Sequence, residues 1–337
     1  MEMTSETWAA AADPGPAPPT GVELPRSLVE VDGVPVGELV AAGRTLPSSW
    51  FSSDEIYGLE QRLIFRRAWN YVGAASQLAS VGDYFTCRVA GIPVVVVRGK
   101  DEVLRAFVNI CRHRHHEVAQ GSGNRSTLQC IYHGWTYKLD GSFNAAPRSN
   151  EDPDFDGTPL CLKQLRVEAF GDMIYVNPDP DARPLLETLG PVPELAEKRG
   201  WPMGSALFRA RKSIEFPANW KVVYENNAEC YHCPTSHKSY AKEIGFRPDR
   251  YHDNQVGSHH FETDVFMDPG SPHDYAYYAW PAFFAMSGSL RPTVEEVARD
   301  GYMTWGIEPR SPRWTVVNVD IYHVEELSDA EAAEWFT

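Results

Sequence analysis

The spacing of apolar and polar positions changes period along the chain, and the changes mark its organisation. From Glu55 to Trp69, apolar residues at Ile56, Leu59, Leu63 and Ile64 recur at helical spacing behind a Ser52-Ser53-Asp54 start signal, which predicts a helix over that stretch. After Tyr71 the pattern shortens into β-branched and alternating runs at Pro93 to Val97, Leu104 to Val108, Leu128 to Tyr132 and Trp135 to Leu139. Asp140-Gly141 then leads into Ser142-Phe143, the signature of a hairpin whose turn uses positive φ. Residues ~70–170 therefore read as a small all-β unit. Asn219 to Tyr231 returns to helical spacing through Trp220, Val223, Tyr224, Ala228 and Tyr231, and Arg313 to Val324 alternates like a half-buried strand. Ser328-Asp-Ala-Glu331 has the spacing of a capping box. The helix it opens meets no Gly or Pro stop before Thr337, so the chain is expected to be incomplete at its C-terminus.

These elements divide the chain into an N-terminal tail and lead-in (1–50), an all-β domain (51–180) and an α+β domain (181–337). The first 26 residues, rich in Ala and Pro, read as a mobile tail. A length of 337 residues fits two domains, and 43% apolar with 23% charged residues fits a globular chain. The excess of 46 acidic over 31 basic residues argues against nucleic-acid or anionic-membrane partners. No apolar run approaches the length of a membrane span, and no basic, apolar leader opens the chain, so a cytoplasmic location is expected. Six cysteines are too few for a disulfide scaffold; clustered, they point to metal or redox chemistry.

Two clusters carry that chemistry. Cys111-Arg-His113 and Cys130-Ile-Tyr-His133 are separated by 16 residues. Two Cys and two His suit a tetrahedral zinc site or a Rieske [2Fe–2S] centre, in which Cys₂ holds one iron and His₂ the other. The alternating Cys-x-His order favours the Rieske centre, because zinc sites of this composition pair Cys with Cys and His with His. Trp135 is positioned to pack beside the cluster, while His115 and His116 read as surface neighbours. The loops contain no further cysteines that could bridge them.

The second cluster is Glu229-Cys-Tyr-His232-Cys-Pro-Thr-Ser-His237. Residues 232 and 237 lie ~140° apart on one helix and would not share a face. Pro234 breaks the helix and lets two short helices bring both imidazoles to one metal. Two His plus a carboxylate is the ligand set of non-haem Fe(II) oxygenases. Cys230 and Cys233 also form a C-x-x-C, open to a redox or zinc role or to packing beside His232.

In order and separation, the two clusters resemble the oxygenase α subunit of Rieske non-haem iron oxygenases over residues ~50–337. Asn109-Ile-Cys-Arg-His-Arg114, Cys130-Ile-Tyr-His-Gly-Trp135 and Leu139-Asp-Gly141 carry the first match. His115 stands where the family usually has Gly, and Ile131 where it usually has Pro. The spelling Glu225-Asn-Asn-Ala-Glu-Cys-Tyr-His232 is closest to the choline, glycine-betaine and carnitine monooxygenase group. The resemblance implies a Rieske domain followed by a helix-grip-like catalytic domain with an antiparallel sheet. It implies that Cys111, His113, Cys130 and His133 hold the [2Fe–2S] cluster, and that His232 and His237 hold the mononuclear Fe(II). Glu229 would relay electrons between subunits, with Asn226, Tyr231 and Trp135 in support. The family's third iron ligand is an Asp from a late helix. Asp329, Glu331 and Glu334 do not match its context, so that ligand is expected beyond Thr337.

The resemblance also implies an O₂-dependent monooxygenase that hydroxylates or N-demethylates a small quaternary ammonium compound. Its electrons would come from NAD(P)H through a separate flavin and iron–sulfur reductase or a ferredoxin, and its assembly would be a homotrimer. Tyr275, Tyr277, Tyr278, Trp280, Phe283, Phe284 and Trp305 could cage the cation or simply pack as core. Two other readings remain: an oxygenase hydroxylating or O-demethylating an aromatic or alicyclic acid, and a Rieske electron carrier or inactive paralogue without mononuclear iron.

Overall fold

The computed structural model describes residues 29–31, 33–198, 201–228, 232–238, 252–257, 260–264, 275–279, 283–287 and 301–335. The tail, Glu229, Cys230, Tyr231 and Trp280 lie outside the described residues.

Helix α1 (Asp54–Leu63) starts as the sequence indicates, with the Ser53 side chain accepting the N–H groups of Glu55 and Ile56. It ends at Leu63 and does not reach Trp69. The chain tightens into a 3₁₀ turn at Phe65–Arg67. There the Asn70 amide donates to the carbonyls of Phe65 (2.9 Å) and Ala68 (2.7 Å), competing with continued helix.

The all-β unit follows with β1 (Asn70–Ala74), β2 (Asp83–Val89), β3 (Ile92–Arg98), β4 (Leu104–Val108), β5 (Ser122–Asn124), β6 (Leu128–Gln129), β7 (Thr136–Tyr137), β8 (Phe143–Ala145), β9 (Gln164–Phe170) and β10 (Met173–Asn177). They form an antiparallel sheet in the order β1-β10-β9-β4-β3-β2-β5 and a small sheet β8-β7-β6. Val94 to Val97 are fully buried, so β3 is covered on both faces, as its unbroken β-branched run implies. Gly141 has φ +82°, and a side chain there would strike the Phe107 ring.

The strand expected over Leu128 to Tyr132 stops at Gln129. Cys130 to Gly134 instead form a tight loop. It is closed by Cys130 N–H to the Trp135 carbonyl (2.8 Å) and Gly134 N–H to the Cys130 carbonyl (3.0 Å).

The second sheet contains β11 (Leu207–Phe216), β12 (His252–Gly257), β13 (His260–Asp264), β14 (Tyr275–Ala279), β15 (Phe283–Ser287), β16 (Gly301–Ser311) and β17 (Trp314–His323). Its order is β11-β17-β16-β15-β14-β13-β12, all antiparallel. Helix α2 (Trp220–Ala228) packs on it: Trp220, Val223 and Tyr224 share a core with Met303, Ile307, Val317, Val319 and Ile321. Helix α3 (Cys233–Ser236) follows, with Pro234 in its first turn, and α4 (Asp329–Trp335) carries the expected capping box. The result is the expected α+β arrangement of two antiparallel units.

A buried polar knot joins the two halves. Tyr71 of β1 hydrogen-bonds the Asp320 carboxylate and, at 2.6 Å, the Tyr322 hydroxyl. Arg211 holds Asp320 through two bonds of 2.6 Å. Burial, then the charge of Asp320, pushes the Tyr71 phenol well up, so it stays a neutral donor.

Candidate metal centres

The two ligand loops of the first cluster come together over one core of the β unit. Cys111 and Cys130 are both buried in it, beside Phe107, Leu128 and Tyr137. Burial pushes the Cys130 thiol up, while the N–H groups of Tyr132 and His133, directed at its sulfur, pull it down. The imidazoles of His113 and His133 lie outward, with ring centroids 4.7 Å apart. His113 stacks on Trp135 at 4.7 Å with the planes 6° apart. Burial, then the neighbouring His133 and Arg114, lowers the His113 pKa, which favours the neutral imidazole that binds metal.

Among the described residues no three His, Cys, Asp or Glu gather as they would around a single ion. The four side chains sort instead into an inner thiol pair and an outer imidazole pair. That division suits two irons bridged by sulfide, with N–H donors already aimed at sulfur, and does not suit one zinc. The residues fit the [2Fe–2S] group.

Tyr137 was not singled out by the sequence reading. Its hydroxyl lies 3.3 Å from Cys111 Sγ and 2.9 Å from the Arg112 amide nitrogen. The available signal was its alternation with Trp135, which puts both rings on the side of the ligand loops. His115 is exposed with φ +59°, and its N–H bonds the Cys111 carbonyl at 3.1 Å. His116 is half-buried, its ring 2.7 Å from the Glu117 carbonyl.

In the second cluster His232 and His237 flank the short α3, whose first turn holds Pro234, with ring centroids 5.2 Å apart and planes 74° apart. His232 precedes α3 and His237 ends it, their positions set by Ser236 N–H to the His232 carbonyl (2.9 Å) and His237 N–H to the Cys233 carbonyl (2.8 Å). Two imidazoles at this spacing, half-buried and exposed respectively, can reach one metal ion. Asn226 is exposed on α2. Glu331 is engaged in the capping box, its carboxylate bonded to Ser328 N–H (2.8 Å) and hydroxyl (2.6 Å), which lowers its pKa. Asp329 opens α4.

An all-β unit with a Cys₂His₂ pair of loops, followed by a sheet-and-helix domain with paired imidazoles, defines an iron-dependent oxygenase. Residues 68–166 match the Rieske [2Fe-2S] domain family, and residues 203–337 match the ring hydroxylating alpha subunit catalytic domain. The carnitine monooxygenase oxygenase subunit of Acinetobacter pittii is 33% identical over 312 residues, covering 87% of this chain and 80% of the relative. The chloroplastic choline monooxygenase of Beta vulgaris is 30% identical over 305 residues, covering 86% and 64%. The crystal structure of the quaternary ammonium Rieske monooxygenase CntA with L-carnitine superposes with a TM-score of 0.75 at 30% identity, covering 86% of this chain and 79% of that one. Naphthalene 1,2-dioxygenase from Rhodococcus sp. shares the fold, with a TM-score of 0.72 at 18% identity over 89% and 78%. The chain belongs to the Rieske non-haem iron oxygenases and is an oxidoreductase of that family.

Proposed function

We propose that this chain is the oxygenase component of a monooxygenase that hydroxylates a carbon beside a quaternary nitrogen in a small betaine-like substrate, with N-demethylation as an outcome. The observation that supports it is the 33% identity with carnitine monooxygenase oxygenase subunits, sustained over 87% of the chain. Cys111, His113, Cys130 and His133 would hold the Rieske cluster, and His232, His237 and a further carboxylate the mononuclear iron. When bound, the cluster supplies single electrons and the iron supplies O₂ activation.

The protein's own part is to position and shield. Buried Cys111 and Cys130 anchor the inner side of the cluster, while His133 lies in an exposed loop with Ile131 and Tyr132, which are 66% and 56% exposed. That apolar rim suits docking against a second copy of the chain, where Glu229 would pass electrons on, in a homotrimer served by a separate reductase or ferredoxin that draws on NAD(P)H. Trp305 lies on the same face of β16 as Met303 and Ile307, half-buried against the core that α2 covers, and its ring would be the one to meet a cation there. Described helices include none long and apolar enough to cross a membrane, which suits a cytoplasmic enzyme.

The test is anaerobic purification, iron and acid-labile sulfide assay, and turnover with a reductase on a panel of betaines, carnitine and choline. Sulfide in the ratio of one [2Fe–2S] cluster, one further iron, and substrate-dependent NAD(P)H oxidation with formaldehyde release are expected. Turnover of aromatic acids alone would redirect the substrate class; absence of the further iron would leave an electron carrier.

A further inference from the structure

Helix α1 precedes the β strands in sequence, yet it is fastened to α2, the helix that comes before the iron histidines in the chain. Glu60 of α1 is buried, and its two carboxylate oxygens are divided between adjacent residues at the start of α2. Oε2 accepts the Trp220 indole N–H at 2.7 Å, and Oε1 accepts the Lys221 ammonium at 2.6 Å. Both ends of the ion pair are buried, with side-chain exposures of 9% for Lys221 and 8% for Glu60. Phe65 meets Trp220 edge-on at 4.9 Å, and Lys221 lies over the Phe51 ring at 5.2 Å. The Tyr57 hydroxyl ties the same helix to the Pro309 carbonyl at 3.1 Å. The start of α2 is held on its other side by the Asn219 amide on the Pro312 carbonyl, at 2.7 Å.

We infer that Glu60 is a positioning residue for the mononuclear iron site, setting the rotation of α2 about its own axis. Two bonds to adjacent residues fix a rotation, which one bond would not. Helix α2 runs from Trp220 to Ala228, so its far end delivers the chain to Glu229 and His232. The chain leaves α2 at a Cα radius of ~2.3 Å, so a turn of ~20° shifts its exit by ~0.8 Å. Displacements of ~1 Å at a reacting centre can cost ~100-fold in rate. Lys221 and Glu60 are therefore expected to affect chemistry more than substrate binding.

The inference rests on the oxygenase class and not on the substrate. The test is the double variant Glu60→Leu, Lys221→Met, which removes both charges together, because either alone leaves an unpaired buried ion. Expected are a melting temperature lowered only by the lost acceptor of the buried Trp220 indole N–H, an unchanged Rieske EPR spectrum, hydrogen exchange of the 220–228 amides raised at least ~10-fold, and kcat down by ~100-fold with KM little altered. Trp220→Phe, which keeps the ring contact and deletes the indole donor, is the second variant should the first fail to fold. The exchange measurement needs neither metal nor substrate, so it decides the point even if no betaine is turned over. Wild-type exchange over 220–228 in a folded variant overturns the inference, as does a loss of kcat that only follows the loss of thermal stability.

Discussion

The Tyr137 hydroxyl is spent twice beside Cys111: it accepts the Arg112 N–H at 2.9 Å and lies 3.3 Å from Cys111 Sγ. A cluster-bound Cys111 sulfur would be deprotonated and could only accept, so the hydroxyl proton would be directed at it. Hydrogen bonds to cluster sulfurs raise the reduction potential by stabilising the more negative reduced state. Tyr137→Phe is expected to lower the Rieske potential, read by voltammetry. It should also cost about 1–3 kcal/mol of stability through the stranded Arg112 N–H. An unchanged potential would show that the bond does not tune the cluster.

His115 occupies the left-handed region at φ +59° in the first ligand loop, a conformation that favours Gly. A side chain there costs about 1–2 kcal/mol, partly offset because glycine loosens the unfolded chain. His115→Gly is therefore expected to raise the melting temperature slightly with the EPR spectrum intact. A fall would mean that the imidazole makes a compensating contact.

Glu229 carries the proposed passage of electrons between subunits. Glu229→Gln is expected to abolish turnover while iron and sulfide contents stay at wild-type levels. Normal turnover coupled to substrate oxidation would remove Glu229 from that path.

Trp305 tests the quaternary ammonium reading. Desolvated cation–π contacts reach about 2 kcal/mol, so Trp305→Leu is expected to raise KM for a betaine by up to ~30-fold with a smaller effect on kcat. An unaltered KM would place the cage elsewhere.

Glu308 provides a pH dependence. Burial raises its pKa, and the guanidinium of Arg310, bonded at 2.9 Å, offsets this only in part. The native state then holds the proton more tightly than the unfolded chain. This stabilising contribution is complete below the unfolded carboxyl pKa of about 4.3 and is lost as pH rises through the higher native value. Glu308→Gln carries no such loss. Its stability relative to wild type should increase with pH across that window and level off above it, measured by urea unfolding at a series of pH values. A flat difference would show that Arg310 fully compensates the burial.

Local signals alone determined several features. Ser53 capping α1, Asp140-Gly141 turning the hairpin, the Ser328–Glu331 box and Pro234 in the first turn of α3 all act between residues a few positions apart, and each is in place. The two clusters proposed to hold iron stand out for the same reason: each is a short run of metal-ligating residue types. Tertiary structure decided the rest, because it concerns partners distant in sequence. Helix α1 stopped short where Asn70 took the carbonyls a longer helix would need, and the second ligand strand became a loop closed by Trp135. Glu60 looks like one more polar residue on a surface helix until folding places Trp220 and Lys221, 160 and 161 residues away, against its two oxygens. A buried carboxylate must find donors wherever the fold offers them, and no local pattern records which part of the chain will supply them.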